Sequence, residues 1–311
     1  MTPETATYLK KRYKTFFNIP LKGYTSLRTG GPADAVVFPA NASETAGLFS
    51  FCNENGVPVT VIGGGTNLLV RDGGVRGICL IQRSVAEPEI FSLNGSGLVR
   101  VRAAAGISLK RLVSFCINKG LSGLNFAVGI PGTLGGAVMG NAGTPDGSMM
   151  DVIDRFTVSD MNSDIVTIMK DDIRFGYRSM DIKKADAAMT RFVILEAELI
   201  LSRGETEALA HEAREKSLKR NMTQPLGKWS AGSFFKNPPG EKPAGWLIEK
   251  AGMKGAVAGG AMVSQKHANF IINTGCATSS DILMLKEMVQ DKVEKIFGIR
   301  LKEEVRIIGE K

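Results

Sequence analysis

The residues best suited to chemistry in this chain are glycines, and they are clustered. Gly63-Gly64-Gly65-Thr66-Asn67 follows a β-branched run, and Gly129-Ile130-Pro131-Gly132-Thr133-Leu134-Gly135-Gly136 is followed closely by Asn141-Ala142-Gly143. Glycine lets consecutive backbone N–H groups converge, and the lack of Cβ lets a phosphate approach them. The first cluster is not a dinucleotide fingerprint, because Leu68 stands where a third glycine belongs, and no Gly-Lys-Ser/Thr follows to make a Walker loop. Taken alone it reads as a tight turn. The second cluster carries five Gly or Pro residues among eight, so 121–143 is expected to be mostly loop. Such a loop inside a domain is costly in backbone entropy unless it wraps a ligand. Two glycine loops, each following a strand, suit a long ligand with a pyrophosphate in its middle.

Other chemistries are poorly supplied. Cys52, Cys79, Cys116 and Cys276 are widely spaced, form no Cys-x-x-Cys pair, and read as buried free thiols. With only His211 and His267, a zinc cluster is not expected and a Ser-His-Asp mechanism lacks its base. No metal is expected. The net charge is +8, and residues 217–311 hold 15 Lys+Arg against 9 Asp+Glu, so +6 of it lies in the last third. That excess is either a solvated face or a site for an anionic ligand such as a diphosphate. Nucleic acid is disfavoured, since no basic run is interleaved with aromatics, which make up 7% of the chain. No run of about 18 apolar residues is present, and no apolar stretch follows the N-terminal charges, so a membrane span and a secretory signal are not expected. The cytoplasm is the expected compartment.

The elements that must hold these loops are legible from pattern. In the first segment a strand at 35–38 precedes a helix capped by Asn41 or Ser43, and 57–62 and 77–82 read as strands. In the second, 98–105 is a strand, Ser108 caps a helix over 109–119, and 153–158, 165–169 and 192–201 are strands. A helix over 205–220 leads to a linker at 222–225. In the third, a helix around 245–250, a strand at 268–273, a helix over 281–297 ended by Gly298, and a strand over 299–308 follow. Strands and helices interleave without strict βαβ alternation, which points to α+β domains. The divisions are expected at 1–82, 83–216 and 217–311.

A larger pattern joins these pieces. Ser26-Leu-Arg-Thr-Gly-Gly-Pro-Ala-Asp34, Gly63-Gly-Gly-Thr-Asn-Leu-Leu-Val70 and Gly129-Ile-Pro-Gly-Thr-Leu-Gly-Gly-Ala137 are followed by Phe175-Gly-Tyr-Arg178 and Gly232-Ser-Phe-Phe-Lys-Asn-Pro238. Ala244-Gly-Trp-Leu-Ile-Glu-Lys-Ala-Gly252, Lys266-His-Ala-Asn-Phe270 and Glu304-Val-Arg306 complete the set. In this order, from about residue 20 to 309, the chain resembles the UDP-N-acetylenolpyruvoylglucosamine reductases, the MurB family. Any one motif is weak; eight in order are specific. The Ala-Asn form of the Lys266 motif resembles the subclass that lacks a tyrosine-bearing loop over the substrate.

The resemblance implies an α+β chain with a two-part FAD-binding unit of vanillyl-alcohol-oxidase (PCMH) type over about 27–203, and a C-terminal substrate domain for a UDP-sugar. It implies non-covalent FAD, NADPH as hydride donor, and reduction of an enolpyruvyl ether to UDP-N-acetylmuramate for peptidoglycan precursor synthesis. The FAD contacts implied are Gly63, Gly64, Gly65, Thr66, Asn67, Leu68, Gly129, Ile130, Pro131, Gly132, Thr133, Gly135, Gly136, Asn141, Ala142 and Gly143. Arg178 matches the arginine expected at the substrate carboxylate, Ser233 the proton donor, and Glu304 a glutamate that assists. Tyr177, Lys236, Asn237, His267 and Asn269 are implied substrate contacts. On the expected final strand Ile299, Leu301, Val305 and Ile307 share the apolar face, and Glu304 lies opposite among Arg300, Lys302 and Arg306. Those cations favour its charged form, whereas assisting an enediolate wants it protonated. Another flavin oxidoreductase on the same FAD fold is the alternative. The motifs of the last third argue against it.

Overall fold

The computed structural model describes residues 1–93, 97–160, 164–183 and 191–311. Its contacts divide the chain into two compact units: 1–16, 35–64 and 77–218 form the first, and 17–34, 65–76 and 219–311 form the second. Residues 1–82 therefore contribute to both.

The first unit is built on an antiparallel sheet whose strands run in the order Ile165–Met169, Ile153–Asp160, Phe192–Arg203, Leu98–Ala104, Glu89–Ser92, with Leu121–Ser122 against the end of Phe192–Arg203. Along Phe192–Arg203 the side chains of Ala197, Leu199 and Leu201 are buried in one core at every second position, while Val193 and Leu195, beyond a register shift, join Phe49 in a second cluster. The helix Leu109–Asn118 covers that core with Leu109, Leu112, Val113 and Cys116, the spacing of one helical face. Ser108 starts it, its hydroxyl accepting from the Arg111 N–H at 3.3 Å. The helix Ala42–Glu54 begins at Asn41, whose side chain accepts from Glu44 N–H at 2.9 Å. Val59–Ile62 pairs in parallel with residues 78–81 of the strand Val75–Ile81.

The stretch 121–143 departs from the loop expected of it. It contains a helix, Leu134–Met139, in spite of Gly135 and Gly136. Burying Leu134, Ala137 and Val138 explains this. Full burial of one leucine or valine contributes about 1.5–3 kcal/mol, against about 1 kcal/mol lost at each helical glycine. Packing outweighs propensity. The expected linker at 222–225 is also partly helical, because the helix Thr206–Thr223 runs into it.

The second unit carries a four-stranded antiparallel sheet in the order Trp229–Ser230, Ile271–Asn273, Ala261–Val263, Val257–Ala258. The helix Ser279–Phe297 packs on it through Ile282, Leu285, Val289 and Val293. Thr278 and Asp281 form a capping box at its start, and Gly298 ends it in the left-handed conformation at φ 71°. Leu27, Leu69, Phe234, Phe235, Leu301 and Val305 join the same core. The expected strand over 299–308 is reduced to Arg306–Ile308, which pairs in parallel with Leu68–Val70. The chain bends at Val305, where its course turns from the isolated bridge Phe235–Glu303 to that pairing. The apolar set Ile299, Leu301, Val305 and Ile307 still packs on the core, but not by strand alternation. No described helix is long and apolar enough to cross a membrane. Cys52, Cys79 and Cys116 are buried; Cys276, expected to be buried as well, is exposed, because it lies in the turn before the helix Ser279–Phe297.

Candidate active site

In the first unit the two glycine clusters meet. A Cβ at Gly63 would lie 2.3 Å from the Oγ1 of Thr133, and Thr133 is itself buried. Only a glycine permits that approach. Thr133 is held by its neighbours, since Leu109 N–H donates to Gly132 O at 3.0 Å and Leu134 N–H to Ile107 O at 2.9 Å. Among the described residues, the N–H groups of Gly63, Gly64, Gly129 and Gly132 donate to no protein acceptor. Gly64, Gly129, Pro131 and Gly136 are exposed, while Gly135 is buried against Ala105.

Arg178 lies in the same unit, on the two-residue turn between the paired strands Ile173–Gly176 and Ser179–Ile182. Its backbone has φ 54°, a conformation that costs a non-glycine residue about 1–2 kcal/mol. Its guanidinium donates to Gly143 O at 2.9 Å and sits 5.2 Å from the centre of the Tyr177 ring. Asn141 ties the hairpin down. This buried side chain donates to Gly176 O at 3.0 Å and accepts from Met150 N–H at 3.1 Å. Ala142 lies beside it, accepting from Met149 N–H at 2.9 Å.

The remaining expected residues belong to the second unit. Gly65 passes so near Tyr24 that a Cβ there would be 1.9 Å from the Tyr24 carbonyl oxygen. Thr66 and Asn67 form the turn after it, and Leu68 opens the strand paired with Arg306–Ile308. Asn67 donates through its amide to Glu304 O at 3.0 Å.

A cavity of about 350 Å³ gathers Ser233, Asn237, His267 and Asn269. Trp246, Glu249 and Lys266 line it too, although residue type alone does not single them out. The available signal for Trp246 is its rarity, one of 2 tryptophans in the chain; it is 41% exposed on a helix that buries Ala244, Leu247 and Ile248. Lys236 and Glu304 are not in the lining. Asn237 fixes one wall, its Oδ1 accepting from Ala244 N–H at 3.0 Å at the start of the helix Ala244–Lys250. The turn at Lys266-His267 is held by the Ser264 hydroxyl, which accepts from both backbone N–H groups at 3.1 and 3.4 Å. Burial, aided by the Lys254 ammonium, holds the His267 imidazole below its ordinary pKa. Its Nδ1 accepts from Asn269 N–H at 3.2 Å.

The segment carrying Ser233 is sewn to its surroundings at each following peptide. Phe234 N–H donates to Asn269 O at 2.7 Å, and Phe234 O accepts from Glu304 N–H at 2.8 Å. Phe235 N–H donates to Asn269 Oδ1 at 2.9 Å, and Phe235 O accepts from Asn269 Nδ2 at 2.8 Å. Lys236 N–H donates to Lys302 O at 2.8 Å. The three cations expected around Glu304 are not equivalent. Arg300 is engaged by Glu287, Asp291 and Glu294 at 3.0, 2.6 and 2.9 Å. Glu303, next to Glu304, pairs with the buried Lys286 at 3.0 Å. Burial pushes the Glu303 carboxyl up, but hydrogen bonds and Lys286 outweigh it and hold the group below the usual range.

Comparison with known proteins identifies the family. Residues 33–169 match the FAD binding domain, and residues 224–308 match the C-terminal domain of UDP-N-acetylenolpyruvoylglucosamine reductase. The UDP-N-acetylenolpyruvoylglucosamine reductase of Desulfosudis oleivorans is 43% identical over 293 residues, covering 94% of this chain and 93% of the relative. That of Syntrophus aciditrophicus is 41% identical over 294 residues, covering 94% and 92%. The chain belongs to the MurB family. The crystal structure of the Thermus caldophilus reductase superposes with a TM-score of 0.77 at 32% identity, covering 96% of this chain and 99% of that one. The enzyme is thus an FAD-dependent oxidoreductase, a UDP-N-acetylmuramate dehydrogenase of peptidoglycan precursor synthesis that uses NADPH. The residues present fit FAD: the undonated N–H groups at Gly63, Gly64, Gly129 and Gly132 suit a pyrophosphate, and the Gly63–Thr133 approach leaves no side chain in their way.

Proposed function

We propose that Arg178, Ser233 and Glu304 carry the MurB reduction in this chain, and that the glycine surfaces from Gly63 to Leu68 and from Gly129 to Gly143 hold the FAD. When bound, FAD would supply the hydride chemistry, relaying hydride from NADPH to the substrate. The substrate is an enol ether conjugated to a carboxylate. Hydride adds at its methylene carbon, and the displaced electron pair flows onto the carboxylate as an enediolate. Arg178 offers a planar, permanently charged fork to that developing charge. Ser233 gives its hydroxyl proton to the carbon bearing the ether oxygen, which completes the lactyl ether and leaves an alkoxide. Glu304 assists the enediolate from the segment bonded to Phe234.

The observation that carries this reading is the sewn segment after Ser233. The Phe234 peptide next to the serine accepts from Glu304 N–H at 2.8 Å, which fixes the proton donor and the glutamate segment in one register. The cavity beside Ser233 suits part of a UDP-sugar, with Asn237 and His267 in its lining; Tyr177 and Lys236 are further proposed contacts of the sugar nucleotide, whereas Asn269 has both ends of its amide bonded to Phe235. At about 350 Å³ it lies at the small end of ligand sites. The domain division into 1–82, 83–216 and 217–311, and a cytoplasmic location, complete the proposal. So does membership of the subclass without a tyrosine-bearing loop. Of the chain's 4 tyrosines, Tyr8, Tyr13 and Tyr24 lie in or beside helical turns and Tyr177 on a two-residue turn.

Ser233→Ala tests the central role. Reduction of the flavin by NADPH needs no proton at the substrate carbon and proceeds as in wild type. Reoxidation by the enolpyruvyl substrate slows by about 10²- to 10⁴-fold, the usual loss for a positioned general acid, and Ser233→Cys retains more activity than Ala. Equal slowing of both steps, or normal reoxidation, removes Ser233 from the role.

A further inference from the structure

We propose that Asn269 is a positioning residue, which sets the Ser233 hydroxyl and the Glu304 segment in register by clamping the Phe235 peptide, rather than a group that binds substrate. The inference rests on the reading of Ser233 as proton donor. Asn269 is 4% exposed, and both ends of its amide are engaged. Oδ1 accepts from Phe235 N–H at 2.9 Å, and Nδ2 donates to Phe235 O at 2.8 Å. Its own carbonyl takes the Phe234 N–H at 2.7 Å. Three hydrogen bonds from one residue therefore fix the three successive peptides that follow Ser233. The Phe234 carbonyl, oriented by the same bonds, receives Glu304 N–H. The side chains of Phe234 and Phe235 are fully buried and prevent the segment from sliding. Asn269 reaches the cavity lining, but both ends of its amide are bonded to Phe235 and at 4% exposure little of it is open to a ligand.

Asn269→Asp is nearly isosteric. It keeps an acceptor for Phe235 N–H but sets a carboxylate oxygen against Phe235 O where an N–H stood. A misplacement of about 1 Å costs on the order of 10²-fold in rate, so flavin reoxidation by the enolpyruvyl substrate should fall by about 10- to 100-fold. Reduction by NADPH, and the substrate's affinity measured from its perturbation of the oxidised flavin spectrum, should stay at wild-type values. Lowering the pH should restore reoxidation in Asn269→Asp relative to wild type, because the introduced carboxyl, once protonated, donates again to Phe235 O. Hydrogen exchange across residues 232–238 should speed up, with or without flavin. In a Ser233→Ala background the same substitution should cost less than it does in wild type, since the part of its effect that acts through Ser233 has nothing left to act through. Normal reoxidation in Ser233→Ala overturns the reading of Ser233 and leaves the clamp to the exchange data. If Ser233→Ala reoxidises slowly but Asn269→Asp reoxidises normally, the clamp is refuted and the serine stands. A loss confined to substrate affinity, or additive losses in the double variant, also refutes it. So does failure of both Asn269→Asp and Asn269→Ala to fold with bound FAD, which would mark a residue of general stability.

Discussion

Arg178 combines a chemical demand with a backbone cost, and substitution can separate the two. Its φ of 54° places a side chain where a hairpin turn ordinarily takes glycine or asparagine. Arg178→Ala and Arg178→Gly both remove the donor to Gly143 O and the contact with Tyr177. They differ in what the turn asks of them. Alanine keeps a left-handed cost of about 1–2 kcal/mol. Glycine escapes it and gives back about 0.5–1 kcal/mol in unfolded-state entropy. Arg178→Gly should therefore be the more stable of the pair by about 0.5–1 kcal/mol, or roughly 2–4 °C in Tm per kcal/mol for a domain of this size. Both should lose about 10²- to 10³-fold in flavin reoxidation, the cost of removing one group aimed at developing charge. Arg178→Lys should recover only part of it, since a point charge lacks the fork. Thermal melting of the FAD-bound variants and stopped-flow traces of each half-reaction measure the two effects separately. Equal stability of the Ala and Gly variants would show that the turn is unstrained. Retained reoxidation in either would show that the guanidinium does not meet the transition state.

Three further outcomes follow from the geometry. Gly63→Ala should lower the FAD content of purified protein, and adding Thr133→Ala, which removes the oxygen 2.3 Å from the new Cβ, should restore part of it; flavin absorbance per protein measures both. Burial pushes the Cys52 and Cys116 thiols up to about 12, so a thiol reagent at pH 8 should label native protein quickly at the exposed Cys276, and Cys276→Ser should abolish that fast phase. The His267 pKa is lowered in the folded state, so the unfolded chain binds more protons between the two values. Its contribution to stability is complete above the unfolded pKa of 6.5 and is lost as pH falls toward the folded one. The Tm drop between pH 7 and 5.5 should therefore be smaller in His267→Gln.

The sequence made the regular elements legible where one signal dominated. Asn41, one of the two caps expected for its helix, and Ser108 both cap as the pattern suggested, and the 109–119 pattern matches the buried face of Leu109–Asn118. Pattern failed where two signals conflicted. Gly135 and Gly136 argued for loop, while the buried Leu134, Ala137 and Val138 decided for helix. Alternation over 299–308 described burial correctly but not hydrogen bonding, because the partner of Arg306–Ile308 lies at Leu68–Val70, far away in the chain. The second unit was illegible as a contact unit for the same reason. Its pieces 17–34, 65–76 and 219–311 meet only in three dimensions. The motifs singled out Arg178, Ser233 and Glu304 as the residues proposed to act, but the turn strain at Arg178 and the supports beneath each residue required coordinates.

Those supports share a chemistry. None of the three residues sits inside a long helix or strand: Arg178 is on a turn, Ser233 in an irregular segment, and Glu304 just before a three-residue strand. Irregular backbone leaves N–H and C=O groups without ladder partners, and buried ones must find others. Beside each of the three an asparagine amide bonds the backbone, for Phe235 in a buried irregular segment and for Gly176 and Glu304 at more exposed positions. Asn141 donates to Gly176 O beneath Arg178, Asn269 brackets Phe235 after Ser233, and Asn67 donates to Glu304 O. An amide offers a donor and an acceptor on one short side chain, so it can hold a peptide rigidly without a ladder. It is also neutral. A carboxylate or ammonium at the same points would add a fixed charge beside groups whose task is to meet a charge that appears only in the transition state, and would shift their proton affinities. On the proposed assignment, neutral clamps leave the electrostatics of the reaction to Arg178 and Glu304, so replacing any of the three asparagines by aspartate should disturb catalysis more than the small change in shape suggests.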